Sequence, residues 1–418
     1  MLRSLSPDAL APATLPLRAF RQRGLVEVLD QTRLPRDEVA VNLTSAADAA
    51  RAIATMQVRG APLIGVTAAY GLALSLGTDP SDAGMHDAYT MLLASRPTAV
   101  NLRWALERVR ATVAPLAAFA RAEAAWDEAD AIATEDVATN RAIGEHGLSI
   151  IEELAARRSP VQVLTHCNAG ALATLGWGTA TAPIYLAQLA GIPVHVWVSE
   201  TRPRLQGAKL TAWEMRANGV PHTLIVDAAG AALMRQHRVD LVLVGADRVA
   251  ANGDVCNKIG TYEKALAAND NRIPMYAAVP SSTIDWTLAD GDAIPIEERG
   301  SDEVIGLEDD AIAPAGTRVL NPAFDVTPGR LLTPPPVAEG AHGVAVLRML
   351  PEQGSAEPGL VEVTRSWGAS PSVLAHRQTL ELLDRLTDPA TDDPPSTGGP
   401  TSAVGAAAAW LALVPRHG

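Results

Sequence analysis

The sequence predicts an α/β protein in which a mainly helical N-terminal domain precedes a doubly wound parallel sheet. Two observations predict it. Up to about residue 148 the apolar residues recur at helical spacing, whereas from about residue 149 short apolar runs alternate with helix-length segments. A third observation concerns the ends of those runs, where polar and ionisable residues gather while the runs themselves stay apolar.

Taken in order, Leu25 to Leu29 alternates like a short strand, and helices are expected over Ser45 to Met56, Ile64 to Leu76, Asn101 to Val113 and Arg121 to Ser149. Strands follow at Val161 to Leu164, Val194 to Val198, Thr223 to Val226, Leu241 to Val244 and Met275 to Val279. The helices expected between them start near Ala171, run from Gly207 to Ala217, start near Ala231, and run from Lys258 to Ala268. Strands separated by helices imply right-handed crossovers and a parallel sheet. The expected division is therefore a helical domain over 1–148, a catalytic sheet domain over 149–333, and an appendage over 334–418. That last region opens on Pro334-Pro335-Pro336 and later carries Asp392 to Pro400, with one helix-like run from Val373 to Leu386 between. Its composition predicts disorder over much of its length.

Composition narrows the function. A length of 418 residues suits two or three domains, and a net charge of -13 argues against nucleic acid as a partner. A phosphorylated small molecule would need a local basic patch. Cys167 and Cys256 are too few for a disulfide framework or a zinc cage, and the N-terminus lacks a signal-peptide pattern, so a reducing, cytoplasmic setting is expected. The run from Cys167 to Ser199 holds no Asp, Glu, Lys or Arg, but Gly176, Gly178, Pro183 and Gly191-Ile192-Pro193 interrupt it. A buried helix and a buried strand fit it better than a membrane span.

Two strand ends carry chemistry. Thr165-His166-Cys167-Asn168-Ala169-Gly170 presents a thiol after one strand, and Gly245-Ala246-Asp247-Arg248 presents a carboxylate after another. Ligands of such sheets bind beyond the carboxyl ends of the strands, so Cys167 and Asp247 form a candidate acid/base pair. No G-x-G-x-x-G follows a strand and no G-x-x-x-x-G-K-[ST] occurs, so no nucleotide cofactor is expected. His166 beside Cys167 is not a chelating spacing in a strand, so no metal is expected and His166 reads as a positioned polar residue.

Several motifs together carry a resemblance. Arg59 to Val66 (RGAPLIGV), Arg96 to Leu102 (RPTAVNL), Thr165 to Gly170, Glu200 to Gly207 (ETRPRLQG), Gly245 to Arg248 and Asn257 to Tyr262 (NKIGTY) resemble the S-methyl-5-thioribose-1-phosphate isomerase family. Pro280 to Asp285, Ile294 to Arg299 and Asn321 to Pro328 extend the likeness to about Thr333. The wider group includes regulatory subunits of the initiation factor's guanine-nucleotide exchanger and ribose-1,5-bisphosphate isomerases. The resemblance implies a Rossmann-like catalytic domain, a cytoplasmic homodimer, a role in methionine salvage and no metal or organic cofactor. It also implies that Cys167 and Asp247 are catalytic, and that Arg59, Gly60, Ala61, Arg96, Gln206, Asn257 and Lys258 bind the phosphorylated sugar.

The implied reaction makes demands of its own. Phosphate on the anomeric oxygen prevents spontaneous ring opening, so an acid must protonate the ring oxygen. Hydrogen must then pass from C2 to C1, by an enediol relay or a hydride shift. A carboxyl that donates a proton near neutral pH needs an apolar surround. Arg59 with the amides of Gly60 and Ala61, Arg96, and Lys258 at an expected helix N-terminus suit the phosphate, while Gln206 and Asn257 suit hydroxyls. Arg202 and Arg204 rank lower, and Cys256 reads as a packed small residue. The alternatives are a ribose-1,5-bisphosphate isomerase, which needs a second cationic subsite, and a regulatory subunit without catalysis.

Overall fold

The computed structural model describes residues 15–96, 99–307, 310–333, 349–351 and 358–361. The chain opens with an antiparallel sheet of β1 (Leu17–Phe20), β2 (Leu25–Leu29) and β3 (Ala40–Leu43). The helices α1 (Ala46–Ala54), α2 (Ala61–Leu76), α3 (Asp82–Ser95), α4 (Val100–Val113) and α5 (Ala118–Ala155) follow. Of these elements, β1, β3 and α3 were not among those expected. The Ser81 hydroxyl caps α3 by accepting from the Gly84 amide at 3.1 Å, and Met85, Ala88, Tyr89 and Leu92 bury one face. That spacing is helical, but Gly84, His86 and Thr90 dilute it.

α2 is the central helix of this half and is buried on nearly every side, which its uncharged, Ala- and Leu-rich sequence permits. α5 joins the two halves. Ala125, Trp126, Ala129 and Ile132 pack into the core built around α2, whereas Ile143, Leu148 and Ile151 pack into the core under the parallel sheet. The sequence boundary at residues 148–149 thus falls inside one continuous helix.

The second half runs β4 (Val161–Thr165), α6 (Ala182–Leu189), β5 (Val194–Ser199), α7 (Ala212–Ala217), β6 (His222–Ile225), α8 (Ala229–Arg235) and β7 (Leu241–Val244). It continues with β8 (Arg248–Ala250), β9 (Val255–Lys258), α9 (Thr261–Asp270) and β10 (Met275–Ala277). The parallel sheet has the order β10-β7-β4-β5-β6. Val163 sits opposite Val196 in β5 and Leu241 in β7. The chain winds from β4 outward through β5 and β6, then returns to the other side of β4 with β7. The crevice between the ends of β4 and β7 is therefore the switch point of the sheet.

Two expectations are corrected here. Residues 171–173 form only a short 3-10 turn, and the helix expected near Ala171 begins at Ala182 because the glycines at 176 and 178 take positive φ, 111° and 75°. Lys258 does not begin a helix but ends β9, and α9 starts at Thr261 after Gly260 at φ 98°. β9 is the return arm of a hairpin with β8, turned at Asn252-Gly253 where Gly253 has φ 85°. These two strands join β11 (Ile284–Asp285) and β14 (Phe324–Thr327) in a second sheet of order β11-β8-β9-β14.

The remaining elements are α10 (Asp302–Ile305), β12 (Gly306–Leu307) and β13 (Asp310–Ala311). Beyond Thr333 the described residues form only a hairpin of β15 (Met349–Pro351) with β16 (Pro358–Val361). The expected helix over Val373 to Leu386 and the disorder expected for the appendage lie outside the described residues. Among those residues no helix is long and apolar enough to cross a membrane.

Candidate active site

Cys167 lies two residues past the end of β4 in a left-handed backbone conformation, φ 63°, that few non-glycine residues adopt. Its surroundings hold it there. The Cys167 amide donates to Thr201 Oγ1 at 2.8 Å, and Thr211 Oγ1 donates to the Cys167 carbonyl at 2.6 Å. Thr201 is itself strained at φ 68°, and its amide donates to Asp227 Oδ1 at 2.8 Å while Arg202 N–H donates to Oδ2 at 2.7 Å. Strain at two contacting residues, each over-determined by hydrogen bonds, is the pattern of a functional site. Burial pushes the Cys167 thiol up, and Arg59 and Lys258 pull it partway back.

Asp247 occupies the corresponding place beyond β7, half-buried, with its amide donating to the Cys256 carbonyl at 2.9 Å. The β8–β9 hairpin then brings Lys258 back beside it. Lys258 Nζ donates to the Ala323 carbonyl at 2.8 Å and stands 4.3 Å from the centre of the Phe324 ring. Burial pushes this ammonium down, while Cys167 and Asp247 push it up, so thiol, carboxylate and ammonium share one electrostatic neighbourhood. Arg96 belongs to it as well, since burial lowers its pKa and Asp247 is the foremost group opposing that shift.

The helical half, which already supplies Arg96 at the end of α3, also supplies the third cation. Arg59 precedes α2, and its guanidinium donates both to Asn168 Oδ1 and to the Asn168 carbonyl, the latter at 2.7 Å. Gly60, at φ 99°, and Ala61 open α2, so their amides are among those no helical carbonyl accepts. Pro62 follows without an amide to offer. A sixteen-residue helix thus points its positive end at the loop carrying Cys167. Gln206 and Asn257 complete the set. Gln206 Oε1 is buried with no hydrogen-bond partner among the described residues, and Asn257 Nδ2 donates to Thr261 Oγ1 at 3.0 Å.

Arg59, Gly60, Ala61, Arg96, Cys167, Gln206, Asp247, Asn257 and Lys258 all line one cavity of about 340 Å³. Such a volume fits a single small ligand. His166 also borders it, with Nε2 at 2.8 Å from the Ile259 carbonyl, and burial pushes its pKa down. Arg204 lines the cavity but is paired to Glu303 at 2.8 Å, and Arg202 donates to the Val304 carbonyl. Cys256 packs with Ala250, Ile294, Ala323 and Phe324, and burial pushes its thiol up to about 12.

Sequence reading missed Glu214, which is buried in α7 and accepts from the loop after Cys167. It also missed the wall formed by Met56, Leu210, Asp302 and Glu303. A single carboxylate flanked by Trp213 and Met215 was the available signal for Glu214.

Comparison with known proteins adds relatives. The sequence model of the Initiation factor 2 subunit family matches residues 57–334. A methylthioribose-1-phosphate isomerase of Methylobacterium nodulans is 59% identical over 342 residues, 79% of this chain and 94% of that protein. Another protein of that name, from Rhodospirillum rubrum, is 55% identical over 330 residues, 75% of this chain and 85% of that protein. Among solved structures, the 5-methylthioribose 1-phosphate isomerase of Pyrococcus horikoshii OT3 superposes with a TM-score of 0.71 at 39% identity, over 79% of this chain and 92% of that one. The translation initiation factor eIF-2B subunit delta of A. fulgidus gives 0.66 at 35% identity, over 77% of this chain and 93% of that one.

Proposed function

The chain belongs to the Initiation factor 2 subunit family, and we propose that within it the protein is an aldose–ketose isomerase converting S-methyl-5-thioribose 1-phosphate to S-methyl-5-thioribulose 1-phosphate. The observation that carries this reading is the meeting of Cys167 and Asp247 in one cavity with Arg59, Arg96 and Lys258. Three cations and the positive end of α2 match a phosphate dianion, which a chain of net charge -13 would otherwise repel. The phosphate fixes C1, and the thiol and carboxyl flank the sugar. Burial keeps the Cys167 thiol protonated at neutral pH, while nearby Arg59 and Lys258 stabilise the thiolate once a proton has left. Between them the two groups supply a proton to the ring oxygen and pass hydrogen from C2 to C1. Gln206 Oε1 and Asn257 serve the hydroxyls.

The far end of the sugar decides between substrates. Met56, Ala173, Leu205 and Leu210 border the same cavity, and the carboxylates Asp302 and Glu303 and the cations Arg204 and Lys209 border it too, with Arg204 paired to Glu303 at 2.8 Å. An uncharged methylthio group suits the apolar part of such a wall, contributing about 1 to 3 kcal/mol on burial, whereas a second phosphate would have to compete with Glu303 for Arg204. In competition, methylthioribose 1-phosphate should show a higher kcat/KM than ribose 1,5-bisphosphate, with the ketose product measured directly. The opposite order would transfer the assignment to the bisphosphate. No turnover of either would favour a subunit without catalysis, since the eIF-2B subunit delta of A. fulgidus shares the fold. The cytoplasmic homodimer and the place in methionine salvage belong to the same reading, and the two free thiols suit a reducing compartment.

A further inference from the structure

We propose that Glu214 is a positioning residue of this site, which acts through Asn168 to set the Arg59 guanidinium and hence the grip on the substrate phosphate. The proposal rests on the phosphate role given to Arg59 above. Glu214 is 1% exposed and lies on α7, away from the cavity lining. Its two oxygens accept four hydrogen bonds: Oε1 from Asn168 Nδ2 at 2.9 Å and Leu172 N–H at 2.9 Å, Oε2 from Ala171 N–H at 2.8 Å and Tyr185 O–H at 3.0 Å. A buried carboxylate is costly unless donors surround it, and here the donors come almost wholly from the loop that carries the catalytic thiol.

Asn168 is the link. Once Nδ2 is committed to Glu214, with Thr211 Oγ1 also 3.2 Å away, the amide cannot flip, and Oδ1 must face the opposite way, toward Arg59. The Asn168 carbonyl takes the second guanidinium nitrogen. Arg59 comes from the helical half and Glu214 from the sheet half, so this chain of contacts registers one half's cation against the loop of the other half that carries Cys167. Gly170 shows how closely Glu214 is pressed against that loop, because a Cβ there would lie 2.1 Å from Oε2. Two backbone amides, one amide side chain and one phenol all need an acceptor, and no neutral side chain of this size has two.

The test is Glu214→Gln, which places an N–H donor against donors on one side, with Tyr185→Phe as a control that removes one donor and leaves the contact to Asn168. Four quantities are measured in each: KM, kcat, the inhibition constant of inorganic phosphate, and Tm. Displacement of a positioned guanidinium by a fraction of an ångström should weaken phosphate and raise KM by about 10- to 100-fold, while Tyr185→Phe stays near the wild type. A merely structural role would lower Tm and the active fraction but leave phosphate affinity unchanged in the folded protein, and that result would overturn the proposal. Should Glu214→Gln fail to fold, Asn168→Ala keeps the Ala171, Leu172 and Tyr185 donors and must show the same loss of phosphate affinity; wild-type affinity there would equally overturn it. If the wild type binds phosphate but isomerises nothing, the functional reading fails, while the phosphate titrations still judge the role of Glu214.

Discussion

Gly60→Ala is the sharpest stability test the site offers, because the structure gives two separate reasons why only glycine fits. The first is backbone conformation: at φ 99° and ψ 129° an L side chain is strained, at about 1 to 3 kcal/mol. The second is space. A Cβ at Gly60 would meet Ala173 Cα at 2.4 Å and its carbonyl oxygen at 2.6 Å, and these are backbone atoms that no rotamer change can move. Overpacking of this kind adds about 1 to 3 kcal/mol, so the expected loss is about 2 to 6 kcal/mol, a large share of the roughly 5 to 15 kcal/mol that stabilises a folded domain. Gly24→Ala is the internal control, since Gly24 also has positive φ, 55°, but nothing lies within 4 Å of its Cβ. It should lose only about 1 to 2 kcal/mol. Ala173 ends the turn that follows the thiol's loop, so Gly60→Ala should also raise KM. Thermal unfolding of both variants, followed by steady-state kinetics below the transition, measures these effects. Equal falls in Tm for the two variants would refute the argument from close approach.

Cys167→Ser and Asp247→Asn should each lower kcat by roughly 100-fold or more while circular dichroism and Tm stay near wild type, and a near-normal rate in either would end its catalytic assignment. Glu303 links the cavity rim to Arg204 and Arg299, and although its burial works in the opposite direction, these guanidinium groups draw its carboxyl down to about 2 from an ordinary 4.5. A carboxyl held lower in the native state stabilises it above the unfolded pKa and ceases to do so as pH falls toward the native one. The wild type should therefore exceed Glu303→Gln in Tm at pH 7, with the gap closing between about pH 4.5 and 2. A gap that stayed constant down to pH 3 would show that the ion pairs contribute nothing.

What the sequence determined by itself were the features with a local physical cause. Apolar runs of strand length, bounded by glycine and polar residues, place the five parallel strands at 161–165, 194–199, 222–225, 241–244 and 275–277. Cys167 and Asp247 follow β4 and β7 at the carboxyl edge, where a parallel sheet concentrates its free loops. The tertiary structure decided what local pattern cannot encode. Lys258 reads equally well as a helix start or a strand end, and only pairing of Val255 to Lys258 with β8 and β14 makes it a strand that carries its ammonium to Asp247. Arg59 and Asn168 are 109 positions apart, and no periodicity in either segment announces their contact. Glu214 is the clearest case: along the chain it is one carboxylate on a short helix, which ordinarily faces water. It is buried because Asn168, Ala171, Leu172 and Tyr185 converge on it in three dimensions, and burial of a charge is settled by the donors that surround it, not by its neighbours in sequence.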